Sequence, residues 1–272
     1  MMRSLGLALG MVILASIACA QPAVSPGGVV NSGSYTANGV APGSIVSIFG
    51  TNLASSGAFA STIPLSTTLS DVTSVTFNDI PAGLYYTGSG QINAQLPFNV
   101  LPSGQSSGTV NIVVKNAGGA SAPQSVAVVP VSPGIFTVNA NGLGQAFAYD
   151  NTTGLTSAPV GSILGLTTAP ISLSSGHALI VACTGLGAVT PPIDNYVAAS
   201  DGTFRNTVLR PDVLIGGVKA QFVYSVLSPQ FVSEYQIGVI PDPSTPTGSA
   251  VSLQISIGGV TTANTATIAV AP

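Results

Sequence analysis

The chain has 272 residues, enough for one large domain or two ordinary ones at roughly 100–200 residues each. Only 5% of them are charged, against about 25% in a typical globular protein, while 46% are hydrophobic, too many for a disordered chain. With a net charge of -3 and five Lys and Arg there is no basic patch for a phosphate backbone, which argues against nucleic acid as a partner.

Residues 1–20 read as a signal peptide. Arg3 supplies the positive start, Leu5 to Ile17 the apolar stretch, and Ala18-Cys19-Ala20 the small residues before a cleavage point at Gln21. The expectation is an exported protein, secreted or held at the cell surface. Cys19 offers an alternative, a lipid anchor, although Ser16 stands where a lipobox carries an aliphatic residue. No other apolar run approaches the ~18 residues of a spanning helix, so no transmembrane segment is expected in the mature chain. Cleavage would leave one cysteine, Cys183, unable to form an internal disulfide and set in an apolar run that reads as core.

Beyond the signal every local pattern is β. GSIVSIFGTNL (43–53) reads as a strand and its closing turn. VTFNDIPAGLYY (75–86) reads as a hairpin turning at Asn78-Asp79, residues that tolerate the positive φ of a type I′ turn. NAQLP (93–97), PSGQSSGTVNIVV (102–114) and SVAVV (125–129) follow as further strands. Val131-Ser132-Pro133-Gly134 then reads as a boundary, giving a first domain over 21–131 and a second over 132–272. The stretch 135–157 predicts two strands around a turn, with a tip at Asp150-Asn151 and Gly154 and no clear counterpart in the first half.

From there the order of elements repeats. GHALIVACTGL (176–186) matches 43–53, and VLIGGVKAQFVY (213–224) matches 75–86 with Gly216-Gly217 at the turn. IGVIP (237–241), PTGSAVSLQISI (246–257) and ATIAV (266–270) complete the set, with Gly258-Gly259 as another two-residue turn. Many short strands with regular turns predict a sandwich, and the repeat predicts two in tandem: an all-β fold of two Ig-like sandwiches.

PGSIVSIFGTNLASS (42–56) resembles the opening of IPT/TIG domains, which are immunoglobulin-like sandwiches. VAPGSIVSIFGTNLA, LYYTGSGQINAQLP, SPGIF (132–136), ACTGLGAVTPP (182–192) and SPQFVSEYQIGVIP (228–241) with PTGSAVSLQISIGG (246–259) follow in order. Together they resemble the acidobacterial (Solibacter-type) uncharacterised C-terminal domain family. The resemblance implies the fold and export, and brings no catalytic residues with it.

Candidate chemistry is sparse. His177 is the only histidine, and Cys183, six residues on, would lie about 20 Å away along a strand, too far for a nucleophile–base pair. One His and one mature Cys cannot supply a four-ligand zinc site, and Asp194, Asp201 and Asp212 lack EF-hand spacing. Gly142-Leu-Gly144 and Gly185-Leu-Gly187 are too short for a dinucleotide loop. Lys115 and Lys219 sit at strand ends, which disfavours a buried isopeptide crosslink. Tyr85-Tyr86 and Phe222/Tyr224 recur after equivalent hairpins, which favours core packing over sugar stacking, and Trp is absent. No enzyme, metal or cofactor is therefore expected.

One stretch concentrates charge. Pro191 to Asp212 holds Asp194, Asp201, Arg205, Arg210 and Asp212, with Tyr196 among them, and reads as a candidate interaction loop. The resulting expectation is a non-catalytic surface or extracellular module for adhesion or interaction, with an unknown protein or glycan partner. The alternative is a carbohydrate-binding accessory protein of a polysaccharide-degrading system.

Overall fold

A computed structural model of the protein describes residues 20–174, 176–263 and 265–272; residues 1–19 of the expected signal peptide, Cys19 among them, lie outside the described residues. Among the described residues no helix is long and apolar enough to cross a membrane. The chain is all-β, with its sheets packed face to face as β-sandwiches.

Alternation builds the cores. One hydrophobic cluster draws on residues between Val24 and Val128, the other on residues between Val131 and Val270. In the first half one sheet runs, in order, Ala23–Asn31, Ile45–Thr51, Gln91–Gln95, Gly83–Thr87 and Ala58–Phe59. The facing sheet runs Gln124–Val128, Gly108–Asn116, Ser74–Phe77 and Ile80–Pro81. Val46, Ile48, Ile92 and Ala94 point inward from the first and Val75, Phe77, Ile112 and Val114 from the second, all fully buried.

The second half repeats this plan. Ala148–Asp150, Leu179–Thr184, Tyr235–Ile240, Gln221–Leu227 and Asn206–Thr207 lie side by side in one sheet. Ala266–Ala271, Gly248–Ile257, Asp212–Ile215 and Val218–Lys219 form the facing one. Val46 pairs with Ala94 and Ile48 with Ile92; in the second half Leu179 pairs with Val239 and Val181 with Ile237. The line written twice in the sequence is thus the same inner strand of each half. Cys183 is buried on its core side.

All three hairpin turns take the predicted form. Asn78 and Asp79, Gly216 and Gly217, and Gly258 and Gly259 each have positive φ at both central residues. Two expectations need correcting. Ala148–Asp150 does have a counterpart: Ala23–Asn31 sits beside Ile45–Thr51 as Ala148–Asp150 sits beside Leu179–Thr184. It precedes its partner by a short loop, whereas the second-half strand is separated by a long excursion, so the sequence spacing hides the match. Nor is 191–212 only a loop. It contains the strand Asn206–Thr207, which flanks Gln221–Leu227 as Ala58–Phe59 flanks Gly83–Thr87, and its last residue, Asp212, opens the strand Asp212–Ile215.

Candidate functional site

The sheet containing Ile45–Thr51 and the sheet containing Leu179–Thr184 bury one face each, and their other faces meet along a seam. The seam is polar and closely bonded. Gln95, fully buried, donates from Nε2 to Ser233 Oγ at 2.7 Å, and its Oε1 accepts from Tyr196 N at 2.6 Å. Thr184 Oγ1 accepts from Ile45 N and donates to Ser233 O, both at 2.9 Å. Tyr85 OH donates to Val232 O and Tyr196 OH to Pro81 O, both at 2.6 Å. Leu65, Ala198 and Val232 form a small apolar cluster there, with Tyr85 and Tyr196 against it. Tyr196 and Ser233 both adopt left-handed backbone (φ 73° and 61°), strained for non-glycine residues. The bonds through Gln95 hold both in place.

A groove opens beside the seam. Its first stretch, about 380 Å³, takes Tyr35, Phe59, Tyr86 and Asn93 from the first half and Phe136, Phe147, Phe231 and Glu234 from the second. Phe59 is 77% exposed, Phe231 49% and Phe147 40%, far more apolar ring than isolated surface residues need. A second stretch of about 590 Å³ shares Phe147, Phe231 and Glu234 and adds Tyr149, Gln230 and Gln236. A third, about 650 Å³, shares Gln236 and is walled by Tyr224, Phe204 and Asn206.

Two β-bulges put tyrosines on this surface. Leu84 pairs with Ala94 but Tyr86 with Asn93, so Tyr85 is an extra residue; Phe222 pairs with Val239 but Tyr224 with Gly238, so Val223 is the extra residue. A bulge re-aims the side chains that follow it. Tyr86 and Tyr224 therefore emerge at equivalent positions on the outer faces. Tyr86 packs on Phe59 with ring centroids 4.8 Å apart. Tyr224 lies over Gly238, where any Cβ would overlap its ring. The expectation that these aromatics pack in the cores is corrected: Tyr85 serves the seam, while Tyr86 and Tyr224 face the groove. The sequence signal for this was the break in alternation at Leu-Tyr-Tyr and Phe-Val-Tyr.

Glu234, the chain's only glutamate, is the one carboxylate lining these stretches. Burial pushes its carboxyl above the usual range, opposed by hydrogen bonds from Gln236 and Ser228. Tyr224 is pushed up to about 12 by burial and by the neighbouring Tyr149, and burial and the Glu234 charge raise Tyr149. Both phenols stay protonated and can donate. No Lys or Arg among the described residues lines the groove. The surface thus offers aromatic faces, neutral hydrogen-bonding groups and one acceptor carboxyl.

The charged residues of the candidate loop are not gathered into one site, although its Phe204 and Asn206 wall the third stretch of the groove. Asp194 is exposed, and Tyr196 is part of the seam. Asp201 pairs with Arg205, Asp212 with Lys219 at 2.7 Å, and the Arg210 guanidinium sits 4.5 Å from the Phe222 ring centroid. His177 is not free either: its Nδ1 lies 2.7 Å from Asp150 Oδ2 at the tip of the 148–157 hairpin. Burial pushes Asp150 up, but bonds from Thr152 N, His177 and Thr153 outweigh it and hold the carboxyl below its usual value. No group of three or more His, Cys, Asp or Glu suited to a metal occurs among the described residues.

No family model and no curated protein matches the chain. Among solved structures it is similar to a surface glycan-binding protein, SGBP-B, from a complex xyloglucan utilization locus in Bacteroides uniformis, at 13% identity and a TM-score of 0.23, covering 92% of this chain and 49% of that one. An endo-fucoidan hydrolase of glycoside hydrolase family 107 matches at 10% identity and a TM-score of 0.18, covering 91% and 44%. The chain spans about half the length of the structures it matches. At those scores neither likeness bears on fold or function.

Proposed function

We propose that the protein is an exported, non-catalytic binding protein of the IPT/TIG-like family it resembles, and that its ligand is a neutral glycan held in the groove between its two halves. The observation that carries this is the groove itself: Tyr35, Phe59, Tyr86, Phe147 and Phe231 converge on one concave surface with Asn93 and Glu234. A sugar ring has an apolar C–H face and a hydroxyl edge. Aromatic faces suit the first; amide, phenol and carboxyl groups suit the second. A lone carboxylate without lining cations disfavours anionic polymers.

Of the two expectations from sequence, this favours carbohydrate binding over adhesion through 191–212. The charges of that stretch are largely engaged within the chain, and its Tyr196 is used to join the halves. Binding without hydrolysis fits because glycoside hydrolysis ordinarily needs two carboxyls about 5–9.5 Å apart, and Glu234 lines the groove alone.

Affinity electrophoresis through gels containing neutral polysaccharides or a polyuronate tests the reading. At least one neutral polymer should retard the protein, and Phe59→Ala with Tyr86→Ala should abolish the retardation while leaving the melting profile in place. Retardation by the polyuronate alone, or by nothing, would overturn it.

A further inference from the structure

The groove is longer than one small-molecule site. Each of its three stretches falls within the ~300–1,000 Å³ of an ordinary ligand pocket, and adjoining stretches share walls. The first and second share Phe147, Phe231 and Glu234, and the second and third share Gln236. Glu234 immediately precedes the strand Tyr235–Ile240 that carries Gln236, and both residues line the second stretch. They link the stretches in a row across both halves.

The aromatic walls repeat along that row. Tyr86 and Tyr224 occupy equivalent positions after equivalent bulges, one in the first stretch and one in the third. A ligand that meets the same feature at two separated places must itself repeat. Neither outer stretch is a closed pocket with a charged clamp that would capture a reducing or non-reducing end. The seam bonds through Gln95, Thr184 and Tyr196 fix the spacing between the halves, so the two tyrosines form a pre-set pair rather than independent sites.

We propose that the groove takes the interior of a neutral polysaccharide chain, laid across both halves, with Tyr86 and Tyr224 as paired platforms and Glu234 and Gln236 as the polar contacts between them. This rests on the neutral-glycan reading above and adds the length and mode of binding.

Calorimetric titration with β-1,4-linked gluco-, xylo- and manno-oligosaccharides, from disaccharide to octasaccharide, tests it. For the sugar that binds, affinity should climb with length and then level off once the chain spans both tyrosines. Tyr224→Ala should cost the longest oligosaccharide about tenfold in affinity and leave the shortest unchanged, whereas Tyr86→Ala should weaken every length. Tyr224→Leu, which keeps apolar bulk over Gly238, should behave like Tyr224→Ala if the ring is the platform. Equal affinity for disaccharide and octasaccharide, or a Tyr224→Ala loss that is the same at every length, would overturn chain-interior binding while leaving the neutral-glycan reading intact. If no neutral oligosaccharide of any length binds, both fall.

Discussion

Glu234 shows how little of the site a residue's identity reveals. As the chain's only glutamate it was visible in the sequence, yet nothing nearby marked it as lining a groove; its setting comes from strands that are distant in the chain. Because burial raises its carboxyl, the folded protein holds that proton more tightly than the unfolded chain does. Its ionisation therefore costs stability. The cost is absent below the ordinary glutamate range and complete once the pH has passed the raised value. Glu234→Gln is expected to leave the melting temperature unchanged near pH 4 and to raise it by pH 7. A melting-temperature difference that stays constant across that interval contradicts the assignment. Asp150 has the opposite sign. Its lowered carboxyl supplies stability above the ordinary aspartate range, which is lost as the pH falls through the folded value. Asp150→Asn should cost roughly 1–3 kcal/mol at pH 7, with the difference from the wild type shrinking on acidification; urea unfolding at several pH values would read it.

At the scale of elements, the strands were legible and their irregularities were not. Val46, Ile48, Ile255 and Ile257 announce their strands by period two, and Asn78-Asp79 and Gly216-Gly217 announce turns by the backbone they tolerate. A bulge shifts that period by a single residue, and Leu-Tyr-Tyr can be read in either register until the partner strand is known. So the sequence points to tyrosines after each hairpin while leaving their direction open. The Tyr224 platform gives a direct check. Gly238 has no Cβ because the ring lies on its backbone. Gly238→Ala should destabilise by about 1–3 kcal/mol through overpacking, and adding Tyr224→Ala should recover most of that loss. Additive losses in chemical denaturation would show that the two residues do not touch.

Across the whole molecule, the repeat conveyed two similar halves but not how they join. The seam depends on Gln95, Thr184, Tyr196 and Ser233, which lie up to 138 residues apart and include no charged group. Neutral hydrogen-bonding residues of this kind carry no sequence signature, and the charge-rich stretch 191–212 drew attention instead. Gln95→Leu tests the seam. It should leave Tyr196 N and Ser233 Oγ without their partners, at roughly 1–3 kcal/mol each, and lower the melting temperature by several degrees. An unchanged melting temperature would mean that Gln95 does not hold the halves together. The proposed ligand lies in the aromatic groove, which takes Phe204 and Asn206 from the stretch 191–212 but none of its charged residues. Hydrogen–deuterium exchange with and without a saturating neutral polysaccharide measures this most directly. Protection is predicted in the peptides covering 57–60, 147–156 and 229–236, with residues 191–195 unchanged. Protection confined to 191–212 would contradict it.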